Sequence, residues 1–327
     1  MTMSSSTDQH LHNIDLSVTI PVHDEQDNVE PLYDELVQVL EGQHLHFEVV
    51  FVNDGSRDGS AAVLDGLASR DPRVTVVHLM RNYGQTTAMM AGFDQVKGNI
   101  VVVMDGDSQN DPADIPRLLA KMEEGYTVVS GWRKHRRDAL MTKVIPSKIA
   151  NRIISLVTGV KLHDYGCSLK AYHRTVIRDL KLYGELHRFI PVFSEWGGAR
   201  VGEIVVNHRP RKTGVSKYGI SRVLPVLLDL FLVRFMQRHM QHPIHFFGRF
   251  GVINLLLAVL SFALMIYYKF WGGKTFIETP LPTLTVLFVL VGSMAFLLGI
   301  VAELVIRTYY ESQQKKPYRI ERIVSER

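Results

Sequence analysis

Four runs of apolar residues, each ending in a polar break, set the rhythm of the first hundred positions. Leu16, Val18, Ile20 and Val22 alternate with smaller or polar residues and pass through Pro21 into acidic neighbours, which predicts a strand ending in a loop. Phe47 to Val52, Val74 to Leu79 and Ile100 to Met104 are near-continuous apolar runs, as expected of strands buried on both faces. Helices are predicted between them. Asp27 to Gln43 has Asp27 and Glu30 at capping-box spacing, Pro31 in the first turn and Gly42 at the end. Ser60 to Ser69 and Gln85 to Val96 follow the same period. Strand and helix in alternation predict an α/β fold, a mostly parallel sheet wrapped by helices, with ligands beyond the carboxyl ends of the strands. Asp24, Glu25, Asp54, Asp105 and Asp107 all stand there.

After Trp132 the pattern changes. Asp138 to Thr158 reads as an amphipathic helix carrying Lys143, Lys148 and Arg152, and short strands are expected at Gly166 to Tyr172 and Val201 to Val206. Val223 to Met236 is strongly apolar but interrupted by Pro225, Asp229 and Arg234, which suits a helix lying in a membrane interface rather than crossing it. Phe250 to Tyr268 and Leu281 to Ala302 carry no charge, and each reaches roughly the 20 residues that a bilayer requires. Lys269 to Pro282, with Gly272 and Gly273, is the turn between them. Arg234, Arg238 and Arg249 precede the first span, and Arg307, Lys315, Lys316 and Arg319 follow the second. The turn has only Lys269 and Lys274, so the positive-inside rule puts the large domain and both ends on the cytoplasmic face. The expected division is a disordered tail (1–14), a large domain (15–220), interfacial helices (221–245), a two-helix anchor (246–307) and a cytoplasmic tail (308–327).

Composition changes this picture little. The net charge of +4 over 327 residues is too small to argue for a nucleic-acid partner. Cys167 is the single cysteine, so no internal disulfide forms and a reducing compartment is suitable. The polar start shows no signal peptide, and His239, His242 and His245 lack metal-ligand spacing.

The chemistry concentrates in two constellations. Asp105-Gly106-Asp107 puts two carboxylates just past a buried strand, where they can share a divalent ion that bridges a diphosphate. All-oxygen ligands and a phosphate partner point to Mg2+ or Mn2+. Asn53 to Ser60 would serve equally as a turn and helix cap. Turn chemistry does not explain acidic residues at three strand ends, however, and Asp54 can accept hydrogen bonds from a base or ribose.

In order and spacing, Ile20-Pro-Val-His-Asp-Glu25, Val52-Asn-Asp-Gly-Ser-Arg-Asp58, Arg81-Asn-Tyr-Gly-Gln85 and Met104-Asp-Gly-Asp-Ser-Gln-Asn-Asp-Pro112 resemble family 2 glycosyltransferases of the GT-A fold. Asp164-Tyr-Gly-Cys-Ser-Leu-Lys-Ala-Tyr172 and Arg211-Lys-Thr-Gly-Val-Ser-Lys-Tyr218, with the two spans, look like the branch that acts on polyprenyl phosphates. That branch includes dolichyl-phosphate mannose synthase, bactoprenol glucosyltransferases and undecaprenyl-phosphate aminoarabinose transferase.

The resemblance implies that Pro21, Val22, Glu25, Asp54 and Gln85, with Asp105, Gly106 and Asp107, bind the nucleotide-sugar. Asp105, Asp107 and Gln109 would hold Mg2+ or Mn2+. Gly106 and Ser108 stand where the family usually has Ala and Leu, and neither change removes a ligand. Arg211 and Lys217 would neutralise the departing diphosphate. By the same resemblance Asp164 would be a base or orienting group, and a phosphate monoester, largely dianionic at neutral pH, favours the second role. For the acceptor phosphate, Lys143 stands four residues before Ser147 where relatives carry Arg, and Arg133 is the stronger candidate.

The expected reaction is inverting transfer of a sugar to polyprenyl (undecaprenyl) phosphate on the cytoplasmic face of a bacterial inner membrane, releasing UDP. UDP-glucose is the first donor expected, and UDP-aminoarabinose or another donor the alternative. The spans also offer a surface for homo-oligomerisation. A non-catalytic membrane scaffold is the competing class, and a dinucleotide oxidoreductase is disfavoured because no G-x-G-x-x-G follows the first strand.

Overall fold

In the computed structural model, which describes residues 14–134, 145–178, 180, 182, 186–210, 230, 233–235, 243–312 and 320–325, the four predicted strands are all present. β1 (Leu16–Val22), β2 (Phe47–Asn53), β3 (Val74–Leu79) and β4 (Ile100–Val103) pair in parallel in the order β4-β1-β2-β3. All seven residues of β2 are buried, including Glu48, whose Oε1 accepts the Ser17 hydroxyl at 2.7 Å. Against this sheet α1 (Gln26–Glu41) buries Val29, Leu32, Tyr33, Leu36 and Leu40, positions spaced for one helical face.

The start of α1 differs from the expected capping box. The helix begins at Gln26, Glu25 is its N-cap without a side-chain cap bond, and Pro31 lies inside the helix rather than in its first turn. The neighbouring loop does the capping instead: the Gln26 N–H donates to Asp58 Oδ2 at 3.2 Å. Gln26 Oε1 accepts the Gly59 N–H at 2.6 Å in return. Gly42 is the C-cap, as expected. α2 (Ser60–Arg70) matches its prediction. α3 (Gln85–Phe93) stops short of Val96 because the Gln95 and Val96 N–H groups both fold back onto the Gly92 carbonyl.

A second group of strands widens the sheet. β5 (Val128–Trp132) follows α4 (Ile115–Glu123), and α5 (Ile145–Thr158) precedes β6 (Lys170–His173). The start expected for α5 at Asp138 lies outside the described residues. β6 runs antiparallel between β4 and β5, and β7 (Val201–Val205), reached through α6 (Arg174–Ile177) and α7 (Ile190–Trp196), lies parallel beyond β5. The strand expected from Gly166 starts only at Lys170, because Tyr165 and Gly166 form a turn whose Gly166 N–H donates to Asp164 Oδ1 at 3.1 Å. β8 (Ile320–Val324), in the segment expected to be a plain tail, pairs antiparallel with β3 and completes an eight-stranded sheet.

The chain divides into two units: residues up to Leu230 together with Lys316 onward, and Phe231–Lys315. Within the second, α8 (Pro243–Phe270) and α9 (Leu281–Ser312) are long and apolar enough to cross a membrane. They contain the two predicted spans and extend beyond them. Gly251 and Gly292 let their backbones approach: a Cβ on Gly251 would lie 3.0 Å from the Gly292 carbonyl oxygen. Thr285 Oγ1 donates to Ser261 Oγ at 3.1 Å, which donates in turn to the Leu281 carbonyl at 3.2 Å, so small residues and these polar contacts join the two helices. The interfacial helix predicted for Val223 to Met236 falls outside the described residues except at Leu230 and Val233–Phe235, which are helical.

Candidate functional site

Three loops interlock beyond the carboxyl ends of β1, β2 and β3. Asp54, just past β2, is buried, and its two carboxylate oxygens accept the N–H groups of Tyr83 (2.7 Å) and Gly84 (2.9 Å). Burial raises its carboxyl above the usual carboxylate range, while the two backbone donors and the nearby His23 pull the other way. His23 Nδ1 donates to the Asp54 carbonyl at 2.8 Å. Glu25 accepts Asn28 Nδ2 at 2.6 Å, and its own N–H donates to Ser60 Oγ at 3.0 Å. Asp24 holds φ at +55°, a left-handed conformation that few residues other than glycine, Asn and Asp adopt. It is kept there from both sides: its N–H donates to Ser56 Oγ (3.0 Å) and its Oδ1 accepts the Arg57 N–H (2.7 Å).

Gly55 is the tightest point of this lock. At φ +62°, a Cβ would lie 2.4 Å from the Arg81 carbonyl carbon and 2.5 Å from the Asn82 nitrogen. Gly55→Ala therefore costs about 1–2 kcal/mol for the left-handed backbone alone, and the clash with backbone adds to it. The expected result is a lowered thermal midpoint, read by thermal unfolding of the variant beside the parent.

The loop after β4 carries the second constellation. Asp105 is half-buried, and Gln85 Nε2 from the first turn of α3 donates to its Oδ1 at 2.7 Å. Burial raises its carboxyl, opposed by Ser168, Arg133, Lys170 and Gln85. Gly106 packs on β1: a Cβ there would lie 3.2 Å from the Pro21 carbonyl oxygen and from Val22 Cγ2. Asp107 is half-buried in a turn, where its Oδ1 accepts the Gln109 N–H at 3.1 Å. Ser108 is the second strained residue of the site, at φ +58°. Gln109 and Arg209 exchange bonds: the Arg209 N–H donates to the Gln109 carbonyl (2.9 Å), and Gln109 Nε2 to the Arg209 carbonyl (3.3 Å). Arg209 itself is clamped by Glu35 (2.6 and 2.7 Å) and Asp111 (2.7 Å).

Past β5, Arg133 and Asp164 form a bidentate pair, Nε to Oδ2 at 2.7 Å and Nη2 to Oδ1 at 3.0 Å. The side chains are only 13% and 4% exposed. Burial works against the Arg133 charge, but Asp164 outweighs it and holds the guanidinium above its ordinary value. Lys170 lies 3% exposed on β6, its Nζ donating to the Tyr165 carbonyl at 3.1 Å. Burial pushes its ammonium down to about 8, against the pull of Cys167 and Asp164. Cys167 is fully buried and its thiol is pushed up to about 11 by desolvation, which fits a packed residue and not a nucleophile.

The structure thus brings Pro21, Val22, Glu25, Asp54, Gln85, Asp105, Gly106, Asp107 and Gln109 to one end of the sheet. Arg133 and Asp164 join each other in the wider half. Ser147 is half-buried on α5, and no described contact joins it to Arg133. Arg211, Lys217 and Lys143 lie outside the described residues. Lys170 and Arg209 were not singled out in the sequence. A lysine inside an apolar strand was the available signal for the first; an arginine two residues before the basic loop announces nothing.

Residues 17–181 match the family model for glycosyl transferase family 2. The chain belongs to that family of glycosyltransferases, and solved relatives share its GT-A sheet. It is 39% identical to the dodecaprenyl-phosphate galacturonate synthase of Rhizobium johnstonii over 97% of this chain and 95% of the relative. It is 34% identical to the undecaprenyl-phosphate 4-deoxy-4-formamido-L-arabinose transferase of Shewanella sediminis, with the same coverage. Among solved structures it matches glucosyl-3-phosphoglycerate synthase from Mycobacterium tuberculosis in complex with Mn2+, UDP-glucose and phosphoglyceric acid. That match has a TM-score of 0.52 and 16% identity, and covers 68% of this chain and 79% of the other.

Proposed function

We propose that this glycosyltransferase moves a sugar from a UDP-linked donor to a polyprenyl phosphate at the cytoplasmic membrane face. The observation that carries the reading is the gathering of Asp54, Asp105 and Asp107 on strand ends that also present the Arg133–Asp164 pair. Relatives named for galacturonate and for a formamido-arabinose support a uronic acid or substituted pentose as the group transferred, in preference to glucose.

A divalent ion fits the residues present. Asp105, Asp107 and Gln109 offer only oxygen ligands, and Mg2+ or Mn2+ usually takes one or two carboxylates and fills its other positions with phosphate and water. Among the described residues no group of three or more His, Cys, Asp or Glu side chains is placed to hold a metal ion. When bound, the ion would offset charge growing on the leaving diphosphate.

The remaining steps belong to the chain. Asp54, held by two backbone donors, would accept from the base or ribose, and Glu25 would border the same pocket. An oxygen of the lipid phosphate forms the new bond to the anomeric carbon as the bond to the UDP oxygen breaks, inverting the configuration. No proton need move, because the attacking phosphate is already largely dianionic. Asp164, with both oxygens taken by Arg133, would therefore act by orienting Arg133, which keeps unused N–H groups for a phosphate. Arg211 and Lys217 enter on sequence grounds alone, as cations near the leaving group. Two apolar helices would keep the site at a surface its acceptor cannot leave.

The test incubates detergent-purified protein with undecaprenyl phosphate, Mg2+ or Mn2+, and labelled UDP-galacturonate, UDP-4-deoxy-4-formamido-arabinose and UDP-glucose. Organic-extractable label from one of the first two donors, abolished by EDTA, is expected. Label from UDP-glucose alone would restore the glucose reading, and an absence of UDP binding would overturn the reaction.

A further inference from the structure

His78 stands in a mostly apolar strand. It is 3% exposed on β3, directly opposite Asn53 in the parallel register with β2. Its Nε2 lies 3.0 Å from Asp65 Oδ1 and its Nδ1 3.0 Å from Asn53 Nδ2. Valine or leucine would pack this position without the desolvation that a polar ring incurs, so the hydrogen bonds need a reason.

Polarity runs one way through them. An ionised Asp65 can only accept, so His78 Nε2 carries the proton. His78 Nδ1 is then a lone pair and takes an N–H from the Asn53 amide. That choice turns Asn53 Oδ1 toward the Ser56 N–H, which it accepts at 3.0 Å. Asp54 and Gly55 stand between those two residues, and Ser56 Oγ accepts the Asp24 N–H in turn. At the far end Asp65 also pairs with Arg322 of β8. A series of hydrogen bonds thus runs from the sheet's edge strand to the loop that carries Asp54.

We infer that His78 is a positioning residue for donor binding, fixing the Asp54 loop by dictating which way the Asn53 amide points. The inference rests on the proposed binding of the nucleoside at that loop. His78 touches neither substrate nor metal. Its effect falls on donor affinity and leaves the chemical step and the lipid acceptor untouched.

The test uses the full chain in detergent and reads UDP binding by calorimetry, donor and lipid KM, kcat and the melting midpoint. His78→Leu is expected to raise the donor KM and the UDP dissociation constant about tenfold, with kcat and lipid KM within twofold of the parent. His78→Asn places an oxygen where Nδ1 accepts, and is expected to recover donor KM to within threefold. Asn53→Ala leaves the histidine in place and should repeat the rise in KM, which serves if His78→Leu does not fold. A normal donor KM in His78→Leu, a fall in kcat at constant KM, or failure of His78→Asn to rescue would each overturn the inference alone. An unsubstituted protein that binds no UDP would overturn the function reading, and this inference with it.

Discussion

Arg133→Ala is expected to abolish sugar transfer and to destabilise the protein by about 3–5 kcal/mol, the usual cost of leaving a buried charge without its partner. The stranded group is Asp164, whose side chain is 4% exposed and whose two oxygens both face the guanidinium. Asp164→Ala should destabilise by a similar amount for the mirror reason. The informative variant is the double replacement, Arg133→Met with Asp164→Leu. Removing both charges eliminates the uncompensated one, so the double variant should melt closer to the parent than either single variant does. Activity should not return with stability, because the donors proposed for the acceptor phosphate are gone. Arg133→Lys keeps the charge but loses the two-pronged geometry, and an intermediate activity is expected. The measurements are thermal unfolding in detergent and transfer of label to undecaprenyl phosphate. A double variant that recovered both would make the pair a purely structural brace.

Asp107→Ala is expected to lower kcat by about 100- to 1000-fold, the loss that follows when several kcal/mol of charge stabilisation disappear. Stability should change by no more than about 0.5 kcal/mol, as for a half-exposed turn residue. Asp107→Asn makes the cause separable. Its amide oxygen can still accept the Gln109 N–H that Asp107 Oδ1 accepts at 3.1 Å, so the turn is kept while the negative charge is lost. Both variants should lose activity alike, and neither should regain it at saturating Mn2+. An active Asp107→Asn would assign the residue to the turn and overturn its proposed part in metal binding. EDTA treatment of the parent protein supplies the matching loss from the other side, with Mg2+ or Mn2+ restoring the rate.

The parts of the fold that could be read from the chain were those where local pattern and tertiary role coincide. β1 to β4 are buried on both faces, so their apolar runs needed no partner to be recognised. The acidic residues at their ends were visible for the same reason, as polar breaks following greasy segments. β5 was missed because Val128–Trp132 is brief and mixes small and polar residues. β8 was missed because Ile320–Val324 is short and holds two adjacent charges, Glu321 and Arg322, and only β3 makes it a strand. The start of α1 misled for a different reason: Asp27 and Glu30 had the right spacing, but the loop from Asp58 to Gly59 already met the backbone and side chain of Gln26. In the site, Arg133 and Asp164 were each singled out and given separate tasks. That they hold each other depends on β5 and the turn at Tyr165 meeting in space, which no local spacing reveals. Lys170 escaped notice because its burial, not its identity, makes it unusual.

The pairing of β8 with β3 also bears on how the molecule is made. Seven strands are synthesised before α8 and α9, and the eighth only after both. Until then β3 is an open edge, with backbone donors and acceptors free to recruit another chain. The edge closes only if the hairpin returns the chain to the side from which it left. A polypeptide inserted with one helix instead of two would carry β8 to the wrong side of the bilayer and leave the sheet unfinished. Completion of the sheet thus depends on both crossings, and a chain that made only one would leave the β3 edge unpaired.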